Sequence, residues 1–157
     1  MAPRQKMTAK RKSMKATTSR KKNKEAPAKI PDTWTLGPKE NDRILVLKEY
    51  WLNKVKAGEK CLEVRGTTTR PGGCWLASKG KIHAWALFGQ PYRCESLSHF
   101  ESLAGQHRLE GASLVAELPY KRTWLWPMER VEALHHPIRY QQVGGQVSCA
   151  RFRKPRV

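Results

Sequence analysis

Within the run GEKCLEVR (residues 58–65), Lys60, Glu63 and Arg65 follow Gly58 at offsets of two, five and seven. These three types can do chemistry together. An ammonium donates hydrogen bonds and, once burial lowers its pKa, can act as a base or nucleophile; a carboxylate accepts a proton or a hydrogen bond. A guanidinium offers a planar fork of donors suited to a phosphate or a base edge. Read as a strand over 60–65, alternation puts Cys61, Glu63 and Arg65 on one face and Leu62 and Val64 on the other. A lone buried charge is costly, so a carboxylate beside a guanidinium is either solvated, a structural ion pair, or an organised polar site. Lys60 and Glu63 are the candidates for catalysis, and no catalytic role is assigned to either from sequence.

The elements that would position them can be read around the motif. RILVLK (43–48) reads as a strand. KEYWLNKVK (48–56) reads as a short amphipathic helix that Gly58 stops. GTTTRPGG (66–73) carries strong turn signals. CWLAS (74–78) and IHAWALF (82–88) read as two strands of a hairpin centred on Gly80. SLSHFESLA (96–104) is expected to be helical, capped by Ser96 or Ser98. Residues 106–118 suggest a second short helix and a turn. YKRTWLWPMERVEAL (120–134) reads as a long strand interrupted at Pro127, with a bend at Pro137, and 147–152 as the last strand. The order predicts an α+β fold, a small β-barrel of five or six strands with two or three short helices.

The charge is unevenly placed. The chain of 157 residues carries a net +18, and residues 1–30 hold 11 Lys/Arg against one acid, Glu25. That segment has no Trp, Phe, Tyr, Leu or Val. It is expected to be a disordered basic tail over 1–31, with the domain over 32–153 and a basic end at 154–157. Such a tail releases counterions from polyanions and resembles nuclear-import segments in composition. Nuclear localisation is therefore expected, with mitochondria as the alternative. No signal peptide or apolar run of membrane-spanning length stands in the sequence, so no membrane partner is expected. Cys61, Cys74, Cys94 and Cys149 show no C-x-x-C or zinc-finger spacing. Reduced thiols, no metal and no cofactor are expected.

Gly58, Lys60, Glu63 and Arg65 match the pattern G-x-K-x-x-E-x-R of the ASCH domain family, a branch of the PUA-like barrels. The surrounding order of strand, helix, motif strand and hairpin is similar as well, as are Trp124–Trp126, Pro137 and Gly145–Val147 towards the end. The resemblance spans about residues 43–153. It implies a PUA-like pseudo-barrel with a cleft beside the motif, and RNA or DNA binding. One branch resembles amidohydrolases of acetylated cytidine, which use a Lys and a Thr in this strand and a Glu elsewhere. Lys60 matches that Lys, but Glu63 stands where the Thr would be. Thr67, Thr68 and Thr69 lie at the wrong offset, and Glu95, Glu101, Glu110 and Glu117 are open as a second acid.

The expectation is thus a nucleic-acid-binding protein, RNA ahead of DNA, acting as a monomer. Lys60, Glu63 and Arg65 would form the recognition cleft. Lys79, Lys81, Lys121 and Arg122 would extend a phosphate track. Trp85, Tyr120 and Trp124, with Trp75 an alternative to Trp85, would offer stacking surfaces. The alternatives are an amidohydrolase of the acetylcytidine type and a chromatin or ribonucleoprotein scaffold that docks nucleoprotein components.

Overall fold

A backbone reversal after the first helix sets the motif in place. In the computed structural model, which describes residues 36–109, 117–141 and 149–155, strand β1 (Arg43–Val46) leads into helix α1 (Glu49–Lys56). Glu49 in its first turn and Lys54 and Lys56 in its last complement the helix dipole. Leu52 and Val55 bury one face. The helix ends as a Schellman motif: Gly58 N–H donates to Val55 O at 3.0 Å and Glu59 N–H to Lys54 O at 2.9 Å. Gly58 sits at φ +73°, where a Cβ would be strained, so glycine is favoured here. This reversal delivers Lys60 to the start of strand β2 (Leu62–Arg65).

Strands β3 (Gly72–Ser78) and β4 (Lys81–Phe88) form the expected hairpin. Lys79 and Gly80 both have positive φ, as a two-residue type I′ turn demands. Strand β5 (Tyr92–Cys94), helix α2 (Leu97–Ser102) and helix α3 (Ala104–His107) follow. Ser96 caps α2, its hydroxyl accepting from His99 N–H at 3.3 Å. Strands β6 (Thr123–Arg139) and β7 (Cys149–Arg151) complete the described chain. The strand β5 was not anticipated, and the described residues hold seven strands rather than five or six.

The strands make one curled mixed sheet in the order β2-β6-β4-β3-β1-β7, with β5 also on β6. Only the β1–β3 pair is parallel, joined through α1 and β2. This is the small PUA-like barrel of the α+β class. Strand β6 corrects one expectation: it runs through Pro127 without interruption. Its first half pairs with β2 and β5 and its second half with β4. Pro127 lies where one ladder gives way to the next, beside a register shift at Leu87/Phe88, so no ladder bond needs its missing N–H. The bend at Pro137 is a bulge: residues 134–137 stand between the pairs Ala84↔Ala133 and Ile82↔Ile138.

Among the described residues, two apolar clusters hold the fold. Leu45, Leu47, Leu52, Leu76, Phe88 and Trp126 are among the members of the larger. Leu62, Val64, Cys94, Phe100 and Leu125 form the second, under α2. The expected tail over 1–31, the segment 110–116 and residues 142–148 lie outside the described residues.

Candidate functional site

Alternation along β2 separates its side chains as expected. Leu62 and Val64 enter the second apolar cluster. Glu63 and Arg65 pair in register with Trp126 and Trp124, and so share that face of the sheet.

Lys60 is 2 % exposed. Its ammonium donates to Leu62 O at 2.7 Å and to His107 O at 2.8 Å, and lies 3.3 Å from Glu63 Oε2. The Trp51 ring lies 5.4 Å from the same nitrogen, within cation–π range. Burial pushes the Lys60 pKa down, and the Glu63 carboxylate partly restores it. Glu63 is the hinge of the group: its other oxygen lies 2.8 Å from Arg65 Nε. Arg65 also donates from Nη2 to Val46 O at 3.3 Å, tying β2 to β1. Its Nε–H does not point along the short line to Glu63. This buried donor therefore has no aligned acceptor among the described residues.

His107 is the residue that sequence reasoning missed. It is buried and stacks on Phe100 at 4.2 Å between ring centroids. Leu109 N–H donates to its Nδ1 at 3.0 Å, which leaves Nε2 to carry the proton and donate to Phe100 O at 3.0 Å. Burial lowers its pKa and keeps the ring neutral. Its backbone carbonyl then holds Lys60, while Cys61 N–H donates to Gln106 O at 3.0 Å. The end of α3 thus fastens the head of the motif strand. No spacing signal in the sequence announces a contact made by a backbone carbonyl 47 residues away.

The triad lines a cavity of about 530 Å³, within the usual range of small-ligand sites. Trp51, Val64, Leu109 and Pro119 supply apolar wall, and Lys48 and Tyr120 also line it. Tyr120 is 44 % exposed, and its ring packs on Gly66, where an added Cβ would come within 3.0 Å of Cδ1. Trp51 and Lys48 were read only as helix residues.

Of the other candidates, Lys121 and Arg122 are exposed beside Tyr120, in the turn before β6. Lys79 and Lys81 stand at the β3–β4 turn, away from the cavity wall; Lys79 pairs with Glu49. Trp85 corrects the stacking expectation. At 5 % exposure it belongs to the core, pressed against Gly73, and presents no free face. Trp75 is buried as well and donates to Asp42 Oδ2 at 3.0 Å. Trp124 packs against the larger apolar cluster and does not line the cavity. Glu95, Glu101 and Glu117 are exposed and do not line the cavity, and Glu110 lies outside the described residues. Glu63 is thus the one carboxylate in the cavity wall among the described residues, and Thr67, Thr68 and Thr69 are not in that wall. Among the described residues no cluster of His, Cys, Asp or Glu could hold a metal ion. No helix among them is long and apolar enough to cross a membrane.

No family model and no curated protein matches the chain. Solved structures do. The chain is similar to the crystal structure of ASCH from Zymomonas mobilis, with a TM-score of 0.57 at 12% identity over 73% of this chain and 89% of that one. Two single-residue variants of the Zymomonas mobilis protein match alike. One has a TM-score of 0.56 at 12% identity, covering 74% and 92% of the two chains. The other has 0.56 at 11%, covering 73% and 91%. At this identity the likeness is one of fold, and it agrees with the order of elements around the motif. The chain has an ASCH-like fold, a small PUA-like barrel with the Lys60–Glu63–Arg65 triad in the wall of its cleft.

Proposed function

We propose that the protein binds single-stranded nucleic acid, RNA ahead of DNA, by taking one unpaired base into the triad cavity. The observation that carries this reading is the Glu63–Arg65 pair, a carboxylate beside a guanidinium, in the wall of a cavity of about 530 Å³. A carboxylate beside a guanidinium matches the mixed donor and acceptor edge of a base. Tyr120 gives a partly exposed aromatic face at the mouth, the device by which unpaired bases are held. Lys121 and Arg122 beside it extend the surface towards phosphate. The basic ends of the chain add sequence-independent affinity and fit a nuclear protein.

Fluorescence anisotropy with a labelled single-stranded RNA tests this on the full chain. Tyr120→Ala is expected to weaken binding about 5- to 100-fold, the worth of one stacked base, and to leave the salt dependence unchanged. Equal affinity for an abasic oligonucleotide of the same length would remove the base pocket from the account.

An amidohydrolase reading has one observation in its favour, the burial that lowers the Lys60 pKa. Against it, the ammonium is committed to two carbonyls and to Glu63. No Ser or Thr hydroxyl lines the cavity among the described residues. Release of acetate from acetylated cytidine above a Lys60→Met control would decide for the hydrolase.

A further inference from the structure

A second cavity, of about 400 Å³, opens beside the first. Arg43, Arg70, Arg151 and the threonines Thr67, Thr68 and Thr69 line it, and no carboxylate does. Arg43 is fixed by four bonds: Nη1 donates to Thr69 Oγ1 and Arg70 O, and Nη2 to Pro71 O and Gly73 O. Arg151 Nη1 donates to Asn41 O at 3.0 Å. These acceptors are neutral and position the guanidinium groups without cancelling their charge. Among the described residues none of the three arginines forms an ion pair. The exposed Arg70 side chain has no partner among them at all. Three like charges around one hollow repel one another, and a bound anion would offset that repulsion. Arginine forks with threonine hydroxyls around them are the donor set that suits a phosphate.

The two cavities are neighbours. Arg65 lines the first and Thr67 the second, two residues on, so their backbones lie at most about 7 Å apart. Cys149, in the wall of the second cavity, is near enough to Arg65 to feel its charge. The separation suits a nucleobase and a phosphate of the same strand.

We propose that the second cavity is a phosphate subsite, holding a phosphate of the strand whose base enters the Lys60–Glu63–Arg65 cavity. It rests on the base-binding reading for the link between the two sites. Amide NMR on the full chain tests the sites separately, with inorganic phosphate and then a short single-stranded oligoribonucleotide as probes. Both are expected to move the amides of Thr67, Thr68, Thr69, Arg70 and Arg151. Arg70→Glu reverses an exposed charge and keeps the Arg70 carbonyl that Arg43 needs. It is expected to weaken that response about 10- to 100-fold, the worth of a lost charged hydrogen bond. It should also lower the salt slope of oligonucleotide binding by about 0.7. Unmoved amides, or an equal response in the variant, would overturn the subsite. A response to phosphate alone would assign the cavity to a free anion and overturn the link to a strand. Movement at Thr67–Arg70 without movement at Lys60–Arg65 on adding the oligonucleotide would keep the subsite and reject the base pocket; the converse would reject the subsite.

Discussion

Replacing Glu63 by Gln removes one charge and almost no volume, and its consequence follows from the triad geometry. In the wild type one carboxylate lies 3.3 Å from the Lys60 ammonium and 2.8 Å from Arg65 Nε. Lys60 is 2 % exposed and the Arg65 side chain 16 %. In the Glu63→Gln variant, two cations lie side by side in the cavity wall and have no counter-charge. Removing one partner of a buried ion pair costs about 3–5 kcal/mol. Lys60 keeps its bonds to Leu62 O and His107 O, and Arg65 is partly solvated, so the lower end applies. About 3 kcal/mol is a large share of the roughly 5–15 kcal/mol that holds a domain together. Urea unfolding followed by tryptophan fluorescence measures it. At a slope of about 2 kcal/mol/M the midpoint should fall by about 1.5 M with the slope unchanged. Lys60→Met removes one of the stranded cations, so the double variant should lose clearly less than the two single losses added. A Glu63→Gln loss below about 1 kcal/mol would contradict this geometry, because it would place the carboxylate in solvent rather than between the two cations.

Four further outcomes follow. Burial pushes the Cys74 thiol up to about 12, so its contribution to stability is full below pH 9 and is lost as pH rises towards 12; an alkaline unfolding series should show a slope of about 1.4 kcal/mol per pH unit from this thiol that Cys74→Ala removes. The pKa of His107 is lowered by burial, so its contribution is present above pH 6.5 and lost as pH falls towards the folded-state pKa; nitrogen NMR at pH 7 should show a neutral ring protonated at Nε2, and a ring protonated at Nδ1 would contradict the hydrogen-bond assignment. An alanine Cβ at Gly73 would meet the Trp85 ring at 2.8 Å, so Gly73→Ala should cost about 1–3 kcal/mol. Gly66→Ala would press on Tyr120 at 3.0 Å, where the exposed ring can yield, and should weaken RNA binding while leaving the unfolding midpoint nearly unchanged.

Much of this was legible in the sequence because local rules governed it. Gly58 at the helix end, the Lys79–Gly80 turn and the alternation through LEVR follow from backbone preference and period, and neighbouring residues alone decide them. The three charges stood out because a strand face with two buried neighbours has little reason to carry them unpaired. The aromatic residues were harder. Trp85 and Tyr120 look alike as stacking candidates, yet sheet register buries the first, while the turn before β6 leaves the second at the cavity mouth. Pro127 read as a break because its missing N–H matters only if a ladder bond is due there, and the exchange of partners along β6 is a tertiary fact. The three-residue β5 is too short to show a period. His107 acts on Lys60 through a backbone carbonyl, which any residue type could supply.

The most direct test of the central claim is a photo-crosslinking map of the full chain with single-stranded RNA carrying 4-thiouridine, read by peptide mass spectrometry. Crosslinks are expected in the cavity wall, at Trp51, Leu109 and Tyr120, that compete away with unlabelled oligonucleotide and drop with Tyr120→Ala. Crosslinks confined to residues 1–30, with none in the cavity wall, would contradict it.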